Sequence, residues 1–250
     1  MAVSIKSARE VELMREAGKR LAHVHQELEA MIAPGISTWE IDAKGEKLIR
    51  DCGCIPNFLH YNGYPASICV SVNDEVVHGI PRKDRYLKEG DIVSLDAGLI
   101  YKGYHSDAAR THAVGKVSTE AQKLMDVTKQ SFFEGIKMAK EGQHLHDISR
   151  AIEEYVTPYG YGIVRDLVGH GIGTALHEDP QIPNYAQKRR GVRLQAGMTL
   201  AIEPMINAGT WQVRFLRDGW TVVTKDGSLS AHYENTILVT DGEPEILTLY

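Results

Sequence analysis

Two aspartates lie inside the most β-rich part of this chain and limit what it can fold into. Asp96 lies in IVSLDAGLI (92–100) and Asp107 in the β-rich stretch 104–115, and the turn YKGY between them predicts a β-hairpin. This hairpin places the two residues close to opposite one another, where facing Cβ atoms are about 4.5–5.5 Å apart. Two buried carboxylates that close repel unless a proton or a cation lies between them. A single aspartate in a strand more often faces solvent or caps a turn, but the pair predicts a cation site.

Three further residues extend this candidate site. His170 lies in LVGHGIGTALHEDP, where we expect the surrounding glycines to bring backbone close to the imidazole. Glu203 lies in the apolar stretch TLAIEPMIN, and Glu234 opens the apolar part of SAHYENTILVT. Taken singly, a buried histidine is more often a core residue, and each glutamate could pair with an arginine. Together with the aspartates they match a site for two divalent cations, which would hold a bridging hydroxide as nucleophile.

Competing catalytic motifs are absent from the sequence. GHGIG does not complete GxGxxG, neither GxxxxGK[ST] nor GxSxG occurs, and the pair His177–Glu178 lacks the second histidine of HExxH. Cys69 has no signature of a thiol protease, and with Cys52 and Cys54 it forms neither a CxxC zinc motif nor an even disulfide set.

Charge and hydropathy exclude several classes of protein. The net charge of −5 argues against a chain built to bind nucleic acid or an anionic membrane. No apolar run approaches the ~20 residues that span a bilayer, and the first residues lack the apolar core of a signal peptide. We therefore expect a cytoplasmic protein that does not bind membranes.

Hydrophobic periodicity and capping signals predict helices, then strands, then helices, then strands. Capping boxes at Ser7 and Ser37 open helices that reach about Met31 and Gly53, and two more helices are predicted at about 118–140 and 146–157. Strands are predicted at 66–73, 92–100, 104–115, 197–207, 219–225 and 231–240. This order predicts an α+β fold in one domain (1–250), whose two similar halves each place helices over an antiparallel sheet.

Seven motifs, in their order and spacing, resemble the bacterial type I methionine aminopeptidases: VVHGIP, SLDAG, SDAART, GHGIG, LHEDP, IEP and HYENT. The resemblance runs from roughly residue 3 to residue 248. It implies a pita-bread fold, with two pseudo-symmetric halves and the metals between them. It also implies removal of the initiator methionine from nascent polypeptides when the second residue is small. The short segment between His170 and Glu203 leaves no room for the extra subdomain of type II enzymes.

The resemblance implies a role for each residue of the metal site. Asp107 and Glu234 would bridge two metals, Asp96 would be a bidentate ligand of one, and His170 and Glu203 would serve the other. The metals would be divalent, and a mixed imidazole and carboxylate site leaves Mn, Fe, Co and Zn open.

The resemblance also implies catalytic and substrate-binding residues. Glu203 would shuttle a proton, His177 would polarise the scissile carbonyl, and His78 would hold the scissile amide nitrogen or the product. The methionine side chain would enter an apolar pocket formed by Tyr61, Tyr64, Cys69 and Trp220. Two further residues of the pocket depart from other members of the family, in which cysteine and phenylalanine are common at the positions of Phe58 and Leu176.

Two other functions fit parts of the pattern. Proline-specific peptidases share the fold and metal set but usually carry a large N-terminal domain, and here the first helix begins near residue 7. Non-catalytic relatives that bind proteins or RNA have lost metal ligands, whereas all five are present here. The basic loop KRRGVR (188–193) is a candidate for transient contact with the ribosome, with a solvated surface as the alternative. We expect a monomer.

Overall fold

The computed structural model describes residues 3–249 of the 250-residue chain. Its helices are α1 (Ala8–Glu29), α2 (Thr38–Asp51), α3 (Thr119–Ile136) and α4 (Leu145–Val156), with 3₁₀ turns at Tyr61–Gly63 and Thr157–Tyr159. Its strands are β1 (Ile55–Pro56), β2 (Ile68–Val72), β3 (Glu75–Val77), β4 (Ile92–Tyr101), β5 (Tyr104–Ala113), β6 (Gly162–Ile163), β7 (Gly169–Gly171), β8 (Glu178–Ile182), β9 (Thr199–Ile202), β10 (Met205–Asn207), β11 (Val213–Phe215), β12 (Val222–Thr224), β13 (Ser230–His232), β14 (Glu234–Leu238) and β15 (Glu245–Ile246). Across residues 3–249, no helix combines the length and apolar character needed to cross a membrane.

The predicted capping residues begin the first two helices. The Glu10 carboxylate accepts a hydrogen bond from the backbone N–H of Ser7 (2.7 Å), and Glu40 accepts one from that of Ser37 (2.9 Å). Gly53 follows α2 with φ +70°, a left-handed conformation that favours glycine. The third helix is shorter than predicted, because the N–H groups of Met138 and Ala139 bond carbonyls three residues back and tighten the chain into a turn.

The largest sheet joins strands from both halves of the chain. Its order is β1-β4-β5-β14-β9-β7-β8, with β2 also paired to β4 and β15 to β14, and all these pairs are antiparallel. The halves meet where β5 pairs with β14, and Ala109 lies opposite Glu234 there. Seven short strands lie outside the predicted segments. Of these, β1, β7, β8 and β15 join the large sheet, β3 and β11 form a smaller sheet with β12, and β6 forms another with β10 and β13.

Each half covers its strands with two helices. In the first half, α1 packs against β4 and β5 and α2 against β2, burying Leu21, Leu28 and Leu95 in one hydrophobic core. In the second half, α3 and α4 pack together and bury Phe132 and Ile152 in a core with strands of that half. The α+β prediction, with helices packed on antiparallel sheet, is confirmed.

The β4–β5 hairpin turns at the predicted YKGY segment, but the two aspartates do not lie directly opposite one another. Tyr101 pairs with Tyr104 across a two-residue turn, in which Lys102 (φ +47°) and Gly103 (φ +85°) are both left-handed. As a result, Asp96 lies opposite Ala109, and Asp107 lies opposite Gly98. The two aspartates are therefore diagonal neighbours rather than opposite residues. They still share one face of the hairpin, because their offset from direct pairing is an even number of residues.

Two predicted strands are each broken into two, and the breaks lie side by side. The segment 197–207 forms β9 and β10, interrupted at Glu203 and Pro204, and 231–240 forms β13 and β14, interrupted at Tyr233. On one side of the breaks β9 pairs with β14 in the large sheet, and on the other β10 pairs with β13 in a three-stranded sheet. Proline lacks the N–H needed to continue the β9 ladder, so the chain changes sheet beside Glu203 and Glu234.

Candidate metal centre

One cavity of about 200 Å³ brings together every site residue predicted from the sequence. Five are the predicted metal ligands (Asp96, Asp107, His170, Glu203 and Glu234), two are the predicted catalytic histidines (His78 and His177), and six are the predicted pocket residues (Phe58, Tyr61, Tyr64, Cys69, Leu176 and Trp220). Asn62, which the sequence did not suggest, also lines the cavity.

The acidic residues and His170 form a compact group. His170 Nε2 lies 3.7 Å from Glu203 Oε1 and 3.9 Å from Asp107 Oδ2. Asp107, His170 and Glu234 each offer one ligand atom, and these three atoms lie within 4.8 Å of one another. Asp96 lines the same cavity from β4. Residues from both halves of the chain therefore meet at one point of the large sheet.

The four carboxylates are held close together in a buried place. Burial raises the pKa of Asp96 to about 7, and burial together with repulsion from neighbouring acids raises the pKa values of Asp107 and Glu234 well above their usual range. The pKa of Glu203 rises for the same reasons, burial first and Asp96 second. Buried carboxylates that served only to stabilise the fold would need a cationic side chain as partner. Among residues 3–249, these acids form no ion pair with a lysine or arginine.

Arg110 lies near Glu234, but its guanidinium is directed elsewhere. It donates to the backbone carbonyls of Ala109, Glu234 and Thr248 and to the side chain of Asn235. It therefore bonds the main chain of Glu234 and not its carboxylate.

The donor atoms fit divalent cations. Buried oxygens of Asp96, Asp107 and Glu234 have no hydrogen-bond partner among the described residues, and an unpaired buried carboxylate oxygen is costly. His170 Nδ1 lies 2.9 Å from the Gly171 carbonyl oxygen, which can only accept, so the proton is on Nδ1 and Nε2 keeps its lone pair. A histidine that binds a metal usually donates the N–H of its other ring nitrogen to a carbonyl or carboxylate oxygen in this way. Oxygen donors with one or more imidazoles suit Mn, Fe, Co or Zn.

The glycines around His170 were expected to bring backbone close to its imidazole, but they contact neighbouring strands instead. A Cβ atom on Gly169 would lie 2.4 Å from the Ala201 carbonyl oxygen, and one on Gly171 would lie 2.2 Å from that of Asp179. Because β7 runs between β9 and β8, the glycines let neighbouring strands approach rather than letting backbone approach the imidazole.

The two predicted catalytic histidines, His78 and His177, line the same cavity as the acids and His170. His177 is exposed, its ring centroid lies 4.3 Å from that of His170, and its Nδ1 lies 2.8 Å from the Tyr61 hydroxyl. His78 is partly buried, and burial with the nearby His177 lowers its pKa to about 4. His78 has a φ of +58°, a strained backbone conformation for a residue other than glycine, and such strain concentrates at functional sites.

An apolar wall adjoins the acids. Phe58, Tyr64, Cys69 and Leu176 are all buried in one hydrophobic cluster, against which Tyr61 and Trp220 pack. The ring of Tyr64 meets that of Trp220 edge to face, and its hydroxyl donates to the Gly79 carbonyl oxygen (2.9 Å). Burial, with Asp96 nearby, raises the pKa of the Cys69 thiol well above its usual range, so Cys69 is a neutral wall residue and not a nucleophile.

His232 is a site residue that the sequence did not reveal. Its Nε2 lies 3.7 Å from Glu203 Oε2 and 3.8 Å from Glu234 Oε2, and the three residues form a second group of close ligand atoms. The sequence contains one usable signal, since His232 precedes Glu234 by two residues. A histidine beside a tyrosine in an apolar strand is nevertheless a common core pattern.

The basic loop 188–193 is exposed along its whole length, and none of its residues lines the cavity. Arg190 forms an ion pair with Asp147 at the start of α4 (2.8 Å).

Comparison with known proteins agrees with this geometry. The model of metallopeptidase family M24 matches residues 12–241. This chain belongs to family M24. A methionine aminopeptidase from Clostridium acetobutylicum is 53% identical over 247 residues, which make up 99% of this chain and 99% of that protein.

Solved structures of other proteins share the fold of this M24 chain. The crystal structure of methionine aminopeptidase from Thermotoga maritima has a TM-score of 0.97 with 46% identity and covers 100% of both chains. An Xaa-Pro dipeptidase from Bacillus anthracis has a TM-score of 0.80 with 26% identity, covering 98% of this chain but 61% of that one. The family assignment and the pita-bread fold predicted from the seven motifs are confirmed.

Proposed function

We propose that this M24 chain is a methionine aminopeptidase that removes the initiator methionine from nascent polypeptides when the second residue is small. The proposal rests on two features that line one cavity. One is a buried group of four carboxylates and an imidazole, and the other is an apolar wall beside it. Similarity to methionine aminopeptidases over 99% of the chain supports the choice of substrate. We propose that residues 1–250 act as a single catalytic domain.

The proposed metal ligands are Asp96, Asp107, His170, Glu203 and Glu234. Asp107 and Glu234 would bridge two divalent cations, Asp96 would complete one coordination shell, and His170 with Glu203 the other. The cations, when bound, act as Lewis acids on the scissile carbonyl and lower the pKa of the attacking water. The donor set leaves the choice among Mn, Fe, Co and Zn to metal availability.

The remaining chemistry belongs to side chains of this protein. Glu203 takes the proton of the attacking water on a carboxylate oxygen and passes it to the leaving amine nitrogen. His177 donates from Nε2 to the carbonyl oxygen as negative charge develops there, which lowers the barrier electrostatically. If the Tyr61 hydroxyl donates to Nδ1, the single proton of neutral His177 is on Nε2, as this role requires. Neutral His78 accepts a hydrogen bond from the scissile amide nitrogen.

The apolar wall selects the first side chain of the substrate. Phe58, Leu176 and Cys69 form a surface without charge, against which a flexible thioether packs well. The aromatic rings of Tyr61, Tyr64 and Trp220 add favourable contacts for sulfur.

We further propose a cytoplasmic monomer that contacts the ribosome transiently through the exposed basic loop 188–193. Reversing the charges of Lys188, Arg189 and Arg193 should weaken co-sedimentation with ribosomes at low salt, because exposed charge pairs depend on ionic strength. Unchanged co-sedimentation would remove this part of the proposal.

Metal content and substrate choice together test the main proposal. Protein purified without oxygen is analysed for metals, then assayed on Met-Ala-Ser, on Met-Lys-Ser and on a peptide that begins Xaa-Pro. We expect chelation to abolish cleavage of Met-Ala-Ser, added metal to restore it, and Met-Lys-Ser to be cleaved poorly. Preferred cleavage of the Xaa-Pro bond would instead indicate a proline-specific peptidase. Bound metal without cleavage of any peptide would indicate a binding module.

A further inference from the structure

The Glu203 carboxylate lies between two imidazoles. His170 Nε2 is 3.7 Å from its Oε1, and His232 Nε2 is 3.7 Å from its Oε2. His232 Nε2 is also 3.8 Å from Glu234 Oε2, much as His170 Nε2 is 3.9 Å from Asp107 Oδ2. His232 is buried, with 1% of its surface exposed. It therefore faces two proposed metal ligands from the side opposite His170.

The fold holds His232 firmly in this position. It ends β13, where it pairs with Met205, just beyond the break at Pro204. The Thr111 hydroxyl forms two hydrogen bonds with the backbone of His232. It accepts from the N–H of His232 and donates to the His232 carbonyl oxygen, both at 2.9 Å. The imidazole is thus fixed at the point where the chain changes sheet, beside Glu203 and Glu234.

The Nδ1 atoms of His170 and His232 have different hydrogen-bond surroundings. The Nδ1–H of His170 donates to a backbone carbonyl, which leaves Nε2 free to bind a metal. Nδ1 of His232 is shielded from solvent and has no hydrogen-bond partner among residues 3–249. A proton on this Nδ1 would lack an acceptor, whereas a proton on Nε2 points at two carboxylate oxygens. The Nε2–H tautomer is therefore favoured, and it cannot donate a lone pair from Nε2 to a metal.

We propose that His232 is a positioning residue of the metal centre. Its Nε2–H orients the Oε2 atoms of Glu203 and Glu234. The inference rests on the proposed function, because it assumes that these carboxylates hold metal. The present distances are longer than a hydrogen bond, and a carboxylate rotation that moves an oxygen by about 1 Å or less closes either one. An N–H between two like-charged carboxylates also offsets their repulsion and limits how they rotate.

The environment of His232 dictates which variants can test this role. Its ring also lines a larger cavity of about 480 Å³ bounded by residues of α1, β5 and α3. A small replacement would connect that cavity to the metal centre and change solvent access as well as hydrogen bonding. Glutamine and methionine are similar to each other in length, and only glutamine keeps an N–H donor at its tip.

The experiment compares Co²⁺ titrations of wild type, His232→Gln and His232→Met, followed by the visible absorption of the bound ion, without substrate. Loss of a residue that hydrogen-bonds a metal ligand typically weakens metal binding about 10- to 100-fold. We therefore expect a weakening of that size for His232→Met and less than about 5-fold for His232→Gln. The control is His112→Met, which removes a partly buried imidazole of the larger cavity that faces Glu29 instead of the centre. We expect this control to bind Co²⁺ like wild type.

Each outcome bears on one part of the inference. Wild-type affinity in His232→Met would overturn it. Weak binding by both His232→Gln and His232→Met, with an altered cobalt spectrum, would make His232 a ligand and overturn the positioning role. A wild-type protein that binds no Co²⁺ would count against the proposed metal centre itself. Melting temperatures of the chelated variants report folding, and His232→Leu is a second donor-free variant if His232→Met does not fold.

Discussion

The Tyr61 hydroxyl and His177 Nδ1 are 2.8 Å apart, and their rings lie at an angle of 50° with centroids 5.4 Å apart. A hydroxyl at Nδ1 restricts the rotation of the imidazole and favours one tautomer. His177 is exposed, so this contact is what holds a proposed catalytic group in a fixed orientation at the edge of the cavity.

Tyr61→Phe is therefore expected to slow catalysis while keeping the apolar wall. A net hydrogen bond contributes about 0.5–1.5 kcal/mol, so kcat on Met-Ala-Ser should fall by about 3- to 10-fold with little change in KM. Steady-state kinetics measure this, and Tyr159→Phe is the matched control, because its hydroxyl contacts that of Tyr155 near the end of α4 and Tyr159 does not line the cavity. An unchanged kcat in Tyr61→Phe would show that the contact does not orient His177 for catalysis.

Local sequence signals were sufficient to predict most of the elements around the centre. The capping boxes at Ser7 and Ser37 fixed two helix starts, and the YKGY turn fixed a hairpin. The aspartates were expected close to opposite one another, but the turn at Lys102 and Gly103 makes them diagonal neighbours. The side of the sheet was predicted correctly nonetheless, since a shift of two residues keeps Asp107 on the same face.

Non-local pairing explains what the sequence did not reveal. The strand β7 consists of Gly169, His170 and Gly171, which have low strand propensity, and it forms because two neighbouring strands approach its backbone closely. The position of His232 depends on its pairing with Met205 across a change of sheet. Neither relationship leaves a periodic pattern in the sequence.

Metal binding is expected to stabilise the protein more at high pH than at low pH. The pKa values of Asp107, Glu203 and Glu234 are raised well above their usual range, and that of Asp96 is about 7. Each carboxyl with a raised pKa holds a proton in the folded state that the unfolded chain releases. Its contribution to stability is complete below about pH 4 and is lost as pH rises through the folded pKa. Bound cations replace these protons, so the stabilisation by Mn²⁺ should grow from about pH 5 to about pH 8.

The measurement is the difference in melting temperature between samples with Mn²⁺ and with chelator, taken across this pH range. Burial lowers the pKa values of His25 and His112, and these histidines affect both samples alike, so the difference removes their contribution. A difference that stays constant, or that is largest at about pH 5, would contradict proton displacement by the cation.

The wall residue Phe58 is expected to limit the size of the first substrate side chain. Its ring is 8% exposed and lines the cavity, so Phe58→Ala should enlarge the pocket and raise cleavage of Phe-Ala-Ser relative to Met-Ala-Ser about 10-fold or more. Stability should fall by about 3–5 kcal/mol, because a large buried side chain is removed. The matched control is Phe215→Ala, at a phenylalanine that is 60% exposed. Equal selectivity between Phe-Ala-Ser and Met-Ala-Ser in the two variants would show that residues other than Phe58 limit the size of the first side chain.

The three histidines of the cavity should divide into one metal ligand and two residues that contact substrate. His170→Ala removes the Nε2 lone pair beside Asp107 and Glu203, so it should bind Mn²⁺ weakly in a calorimetric titration. His177→Ala should bind Mn²⁺ like wild type and lose about 10²- to 10³-fold in kcat on Met-Ala-Ser, because a donor to the developing oxyanion is removed. His78→Ala should also keep its metals, since its neutral ring packs against Trp220 and, among residues 3–249, forms no ion pair with the carboxylates. If His177→Ala lost its metals while His170→Ala kept them, the assignment of His170 as the ligand would be wrong.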